Sequence, residues 1–221
     1  LYYFCRDENR IDRVRNLVKE SGQESQVVFG EPKSNLSQEE FCERVGRAKE
    51  YIQSGDIFQV VLSRRYKIPF KGSLLRFYRA LRKVNPSPYM YYLKFGDREV
   101  VGSSPEMLVR KTGRTVETFP IAGTRPFTSD PARNKALAAE LLQDEKERAE
   151  HVMLVDLARN DIGRVCDYGT LHVPEFMKVQ NYSHVQHIVS RVSGRLQRGA
   201  TGTDVFKAVF PAGTVTGAPK V

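Results

Sequence analysis

Tryptophan is absent from the 221 residues, and cysteine, methionine and histidine number only three, four and four. Cys5, Cys42 and Cys166 are odd in number and far apart, which excludes a disulfide framework and suits no zinc knuckle, so they read as reduced packing residues. No apolar run approaches the length of a membrane span, and the opening LYYFCRDENR lacks a basic-then-apolar leader; a cytoplasmic protein without a membrane partner is expected. Internal repeats and low-complexity tracts are missing too. Acidic residues are outnumbered, 26 against 35 basic ones, and the resulting charge of +9 attracts anions without choosing between a nucleic acid and a small polycarboxylate. That charge is spread along the chain, and no nucleic-acid-binding motif accompanies it. A basic nucleic-acid-binding module is therefore the weakest of the readings carried here.

What is present is ordinary for a globular chain: 40% hydrophobic and 28% charged residues, enough for one large core or two modest ones. A short helix is expected over Arg10 to Glu20, a strand at Gln26 to Phe29 and a linker at Glu31 to Asn35. Ser37 with Glu40 forms a capping box, and Phe41, Val45, Ala48 and Ile52 make one stripe, predicting a helix from Ser37 to Ser54. Ile57 to Ile68, with its IFQVVL run, reads as a buried strand. Ser73 caps a further helix with Leu74, Phe77, Leu81 and Val84 inward, ended by Asn85-Pro86. From Tyr89 to Pro120 the period falls to two, predicting an antiparallel meander. Asp130 with Pro131 opens a long helical region, strands follow at Thr170 to Lys178 and His184 to Leu196, and Thr203 caps a short helix to Phe210. Helices and antiparallel strands are intermixed without a βαβ rhythm, so the fold class is α+β.

Charge and apolarity change places in DEKERAEHVMLVDLARNDIGRV, Asp144 to Val165, without an intervening loop residue. A helix of that pattern enters from solvent and ends inside the molecule, with acids where a core meets a cavity. Glu147 and Glu150 share one face, with His151 one turn beyond Glu147, and together they can offer donors to a hard cation. Spacing alone is as well explained by a solvated face laced with weak ion pairs, and that reading stays open here. Asp156, set among apolar residues, needs a partner such as Arg159. PIAGTRP, Pro120 to Pro126, is a turn in which Gly123 permits close backbone approach and Thr124 adds a hydroxyl. GTVTGAPK fails the spacing of a phosphate loop. His184 and His187 lie three apart in a strand and so face opposite ways, which argues against zinc, while His187 shares a face with Val185 and Val189.

Read as an ordered set, GDIFQVVLSRR, NPSPYMYY, SSPEMLVR, PIAGTRP, DEKERAEHVMLVDLARNDIGRV, YSHVQHIVSRVSG and PAGTVTGAPK closely resemble the chorismate-utilising enzymes, and within them the large-subunit, component I branch of anthranilate synthases. The resemblance runs from about Ser34 to Val221; residues 1–33 look like the tail of an amino-terminal regulatory region, and 34–221 like a catalytic core incomplete at its carboxyl end. It implies antiparallel sheets flanked by helices, a truncated form of that family's β-sandwich fold. It implies Mg²⁺ held by Glu147 and Glu150, Glu106 as the acid that protonates the departing C4 hydroxyl of chorismate, and His187 at the later loss of pyruvate. Gly123, Thr124 and Thr214 match substrate-contacting positions. Gln59 stands where relatives that add water carry a lysine base, and a neutral amide there favours ammonia, which brings its own lone pair. Ala122 stands where many aminodeoxychorismate synthases have lysine; its presence favours amination at C2, with aminodeoxychorismate synthase the alternative. Pro88, Tyr89 and Met90 match half of a tryptophan feedback pocket, and a glutamine amidotransferase subunit is the implied source of ammonia. The two glutamates are expected to face one hollow together with the PIAGT bend and the imidazole of the YSHVQH strand. Family segments bearing further magnesium ligands lie outside these residues, so the chain is read as a piece of a longer polypeptide, without turnover by itself.

Overall fold

Local capping decides where the first helices start. The Ser37 hydroxyl accepts from the Glu40 amide while the Glu40 carboxylate accepts from the Ser37 amide, and this reciprocal pair opens α1, Gln38–Ser54, which stops on left-handed Gly55. Ser73 caps α2, Leu74–Val84, by accepting from the Arg76 amide. The computed structural model describes residues 25–182 and 184–220; the helix expected over Arg10 to Glu20, and Cys5, lie outside them.

Between and around these helices run short strands. β1 (Val28–Phe29) pairs with β5 (Phe70–Lys71), and β2 (Lys33–Ser34) with β4 (Tyr66–Lys67), so the expected linker at Glu31 to Asn35 carries a strand. The expected buried strand from Ile57 to Ile68 breaks in two, with β4 at its end and, at its start, β3 (Gln59–Val60), which pairs antiparallel with β13 (Gly217–Ala218). The partner of β3 is only two residues long and no sheet among the described residues covers its apolar neighbours, so Phe58 is 78% exposed. For the same want of a cover among the described residues, none of the α1 stripe is fully buried and Ile52 lies exposed, as does Val84 of α2, which was expected inward.

The expected meander is two units. β6 (Tyr89–Phe95) and β7 (Arg98–Ser104) form their own hairpin, in register Tyr89 opposite Ser104. Tyr92 meets Tyr78 of α2 at 6.2 Å between ring centroids, whereas Tyr91, Leu93 and Phe95 on the other face are exposed. After Pro105 the chain enters a five-stranded antiparallel sheet of β8 (Arg110–Thr112), β9 (Thr115–Thr118), β10 (Ile121–Pro126), β11 (His172–Asn181) and β12 (Val185–Arg195). β12 is its axis: β11 pairs along it, β10 meets it through Ile121 opposite Val189, and β9 through Thr118 opposite Val192.

Helices cover one face of this sheet. The long helical region splits into α3 (Pro131–Gln143) and α4 (Glu145–Gly163) at Asp144, whose extended ψ of 110° ends one helix while its carboxylate accepts from the Glu147 amide to start the next. α4 is amphipathic rather than enveloped: Leu154, Val155, Ala158 and Ile162 are buried, while Val152 is 41% exposed. Asp156 also faces solvent rather than the apolar interior expected of it, so its 2.8 Å pair with Arg159 is a surface ion pair and not one that burial demands. The α4 stripe meets Val116, Val192, Leu196, Val205 and Val209 in one core, each fully buried aliphatic side chain contributing about 1.5–3 kcal/mol. α5 (Gly202–Val209) is capped by Thr201 rather than Thr203, because Asp204 stands three residues after Thr201 and completes its capping box. α6 (Gly213–Thr216) leads into β13. Cys166 is buried, as a packing residue should be, but Cys42 is exposed. No helix among the described residues is long and apolar enough to cross a membrane.

Candidate active site

β10 does not run straight past β12. Ala122 lies opposite Ile188 and Arg125 opposite Gln186, so Gly123 and Thr124 together oppose His187, and Gly123 takes up the extra residue at φ 69°. The bulge turns the Gly123 carbonyl onto His187 Nδ1 at 2.7 Å, with Thr124 Oγ1 3.2 Å from the same nitrogen. A carbonyl only accepts, so Nδ1 carries a proton, and Nε2 is left as the atom that can receive one. On its other side Gly123 is closely covered: a Cβ there would stand 2.9 Å from Leu141 Cδ1 and 3.2 Å from Glu147 Oε2. His187, Gly123, Thr124 and Glu147 are thus brought together from β12, the bulge and the first turn of α4.

Glu106 follows β7, held by Ser104, whose hydroxyl receives the Glu106 amide at 3.3 Å and donates to its carbonyl at 3.1 Å. Its carboxylate accepts from Thr214 Oγ1 at 3.1 Å, joining motifs 108 residues apart. The two line a hollow of about 210 Å³ walled by Leu154, Leu157 and Val209. Burial pushes the Glu106 carboxyl above the usual carboxylate range, with the Thr214 hydrogen bond opposing. Tyr182 stands edge-on to the His187 ring at 5.3 Å, and burial, with the nearby Tyr89 and Glu106, raises its phenol.

Glu147 and Glu150 do not share the expected single hollow. Glu147 sits at the bulge, half-buried, its Oε1 3.8 Å from Arg125 Nη1. Glu150, one turn on and about 60° round α4 from Glu147, lines a hollow with Phe58, Gln59 and Met153 beside the bulge side of the helix rather than the bulge itself. Among the described residues Glu150 makes no ion pair, and no cluster of three or more His, Cys, Asp or Glu is close enough to hold a metal. Two half-buried carboxylates one turn apart still suit a hard cation that keeps waters and takes ligand oxygens for the rest of its shell. His151 is not a third donor. It is fully buried, its Nε2 lies 2.6 Å from Ser190 Oγ, and burial lowers its pKa to about 4.

Gln59 Oε1 is shut off from solvent without a hydrogen-bond partner, an acceptor in want of a donor. Pro88 and Tyr89 line a hollow with Phe119, Ile121 and Tyr182, whereas Met90, next in the strand, faces the opposite side of the hairpin. Ala122 is buried beside Ile188. Three features went unread in the sequence. Lys220, the cation of the failed phosphate loop, forms a buried ion pair with Asp161 and donates to the Val209 carbonyl at 2.7 Å. Arg125 gathers Glu140, Asp144 and Glu147. Tyr182 packs on the imidazole. An acid inside the apolar end of a predicted helix, as Asp161 is, was the available signal for the first.

Comparison with known proteins matches this arrangement to a family. The model of chorismate binding enzymes matches residues 4–221. Anthranilate synthase component 1 of Methanothermobacter thermautotrophicus is 51% identical over 219 residues, covering 99% of this chain and 47% of the relative. That of Bacillus subtilis is 54% identical over 188 residues, 85% of this chain and 36% of the relative. The crystal structure of anthranilate synthase component I from Streptococcus pneumoniae superposes with a TM-score of 0.84 at 40% identity, over 95% of this chain and 47% of that one. The chain thus spans between about a third and a half of the length of these curated relatives. Shared fold, the ordered motifs and a family match over nearly every residue lead to one conclusion: this chain belongs to the chorismate-binding enzymes.

Proposed function

We propose that the full-length protein converts chorismate and ammonia into anthranilate, pyruvate and water, as a lyase supplying tryptophan biosynthesis, and that residues 34–221 are the chorismate-binding part of its core. The observation that carries this is the convergence at one β-bulge of an imidazole, a hydroxyl and a carboxylate: His187 Nδ1 lies 2.7 Å from the Gly123 carbonyl, Thr124 Oγ1 3.2 Å from His187 Nδ1, and Glu147 Oε2 3.2 Å from where a Cβ on Gly123 would stand. Glu147 and Glu150 would hold Mg²⁺, which when bound supplies positive charge to the ring carboxylate of the substrate. Glu106, with its carboxyl raised by burial, keeps a proton for the C4 hydroxyl, which departs as water as ammonia attacks C2. The unpartnered Gln59 oxygen is suited to accept from an N–H of that ammonia, and being an amide it does not deprotonate water. His187 Nε2, fixed by the Gly123 carbonyl, then takes the C2 proton as pyruvate leaves and the ring becomes aromatic. Ammonia would come from a glutamine amidotransferase subunit in the cytoplasm, and the hollow at Pro88 and Tyr89 is proposed as half of a tryptophan feedback pocket, with residues 1–33 the tail of the region bearing the rest.

The test is product identification on the full-length protein with chorismate, Mg²⁺ and ammonium, beside its Glu147→Gln variant. Fluorescent anthranilate from the parent, with activity and magnesium dependence collapsing in the variant, is the expected result. 4-Amino-4-deoxychorismate as the product, or a variant with unchanged magnesium dependence, would overturn the reading.

A further inference from the structure

One guanidinium ties together the parts of the site that come from different elements. Arg125, just past the bulge, is 18% exposed in its side chain. Its Nε donates to Glu140 Oε1 at 2.9 Å near the end of α3, its Nη2 to Asp144 Oδ2 at 2.9 Å at the junction of α3 and α4, and its Nη1 to the Thr124 carbonyl at 3.0 Å. The same Nη1 faces Glu147 Oε1 at 3.8 Å, inside ion-pair range but beyond a hydrogen bond. Asp144 completes the loop, since its other oxygen caps the Glu147 amide at 3.1 Å. Arg125 therefore orients Glu147 twice, through the helix start and through its own charge, and leaves the Glu147 oxygens free for another cation.

The geometry points to Arg125 as a positioning residue for divalent metal, one that sets the Glu147 carboxylate against the Gly123–Thr124 bulge without touching metal or substrate. This rests on the metal role proposed above for Glu147. Two opposing effects decide the sign. A positive charge beside the site repels a second cation, but Glu140 and Asp144, both at 2.9 Å, already offset that charge, so its net field at Glu147 is small. The loss of orientation is not offset by anything, and outer partners of metal ligands typically carry about 10–100-fold in affinity. Removing Arg125 therefore weakens metal binding. Lysine does not restore it, because a point charge cannot replace a fork that reaches three acceptors at once.

The experiment is Mn²⁺ binding to the full-length protein, followed by the paramagnetic signal of free Mn²⁺, for the parent, Arg125→Gln, Arg125→Lys and Glu147→Gln, with folding of each checked by circular dichroism. Expected are affinities about 10–100-fold weaker in Arg125→Gln and about tenfold weaker in Arg125→Lys. In turnover the apparent KM for Mg²⁺ rises by the same factors while kcat at saturating Mg²⁺ stays near the parent value, a split that a general loss of structure would not give. If either folded Arg125 variant binds Mn²⁺ within about twofold of the parent while Glu147→Gln does not bind, the inference is overturned and the metal reading stands. If Glu147→Gln binds as the parent does, the metal reading itself fails and the inference with it.

Discussion

Replacing Gly123 by alanine should do two separable kinds of damage, and the fold provides a control for one of them. Gly123 has φ 69° and Gly113, in the turn between β8 and β9, has φ 58°, so alanine at either position meets the same left-handed backbone penalty, about 1–2 kcal/mol. Alanine also restricts the unfolded chain equally at both. What differs is space. Nothing lies within 4 Å of a Cβ built on Gly113, whereas one on Gly123 meets Leu141 Cδ1 at 2.9 Å and Glu147 Oε2 at 3.2 Å. The Glu147 carboxylate can swing aside, but Leu141 is fully buried and has nowhere to go, so overpacking adds about 1–3 kcal/mol. Urea denaturation at neutral pH should therefore find Gly123→Ala less stable than Gly113→Ala by about 1–3 kcal/mol. Equal stabilities would refute the reasoning, for they would mean that Leu141 yields freely and that the bulge is not clamped against α3.

Two further outcomes follow from pairs buried near the hollow of Glu106. Thr214→Val removes the hydrogen bond that favours the Glu106 carboxylate, so the carboxyl rises further; since the proposed acid works protonated, the alkaline limb of kcat/KM for the full-length enzyme should move to higher pH, and movement to lower pH would contradict its role. Lys220→Met strands Asp161 without its cation and should cost about 3–5 kcal/mol in denaturant stability, with Asp161→Leu added in the same chain recovering part of it; a single variant as stable as the parent would show the pair to be idle.

Features set within a few residues were legible in the sequence. The Ser37–Glu40 box and the Ser73 cap place α1 and α2 within one residue, because a cap is a local contest between side chain and backbone. The Thr201 cap of α5 is equally local, set by Asp204 three residues on, where Thr203 has no such acid. Burial was legible only where a cover exists: IFQVVL has the composition of a core strand, yet Phe58 and Val60 stay open because β13 is short and no sheet among the described residues covers them. The ordered motifs marked Gly123, His187, Glu106 and Thr214, and the fold brings them into two adjoining clusters. What they could not carry was direction, since Glu147 and Glu150 share a spacing, yet Glu147 meets the bulge and Arg125 while Glu150 lines the hollow of Phe58 and Gln59, and His151 turns to Ser190. Nor could they show that Arg125 would gather acids from two helices, because that follows from where Asp144 interrupts them.

The central place of β12 also bears on how the polypeptide is made. Its three sheet neighbours β9, β10 and β11 all precede it, and β9 and β10 have no ladder with each other. Until Arg195 has left the ribosome these strands have no common partner, and the apolar stripe of α4 waits uncovered. Vectorial synthesis thus leaves a window in which native pairing cannot yet shield this segment.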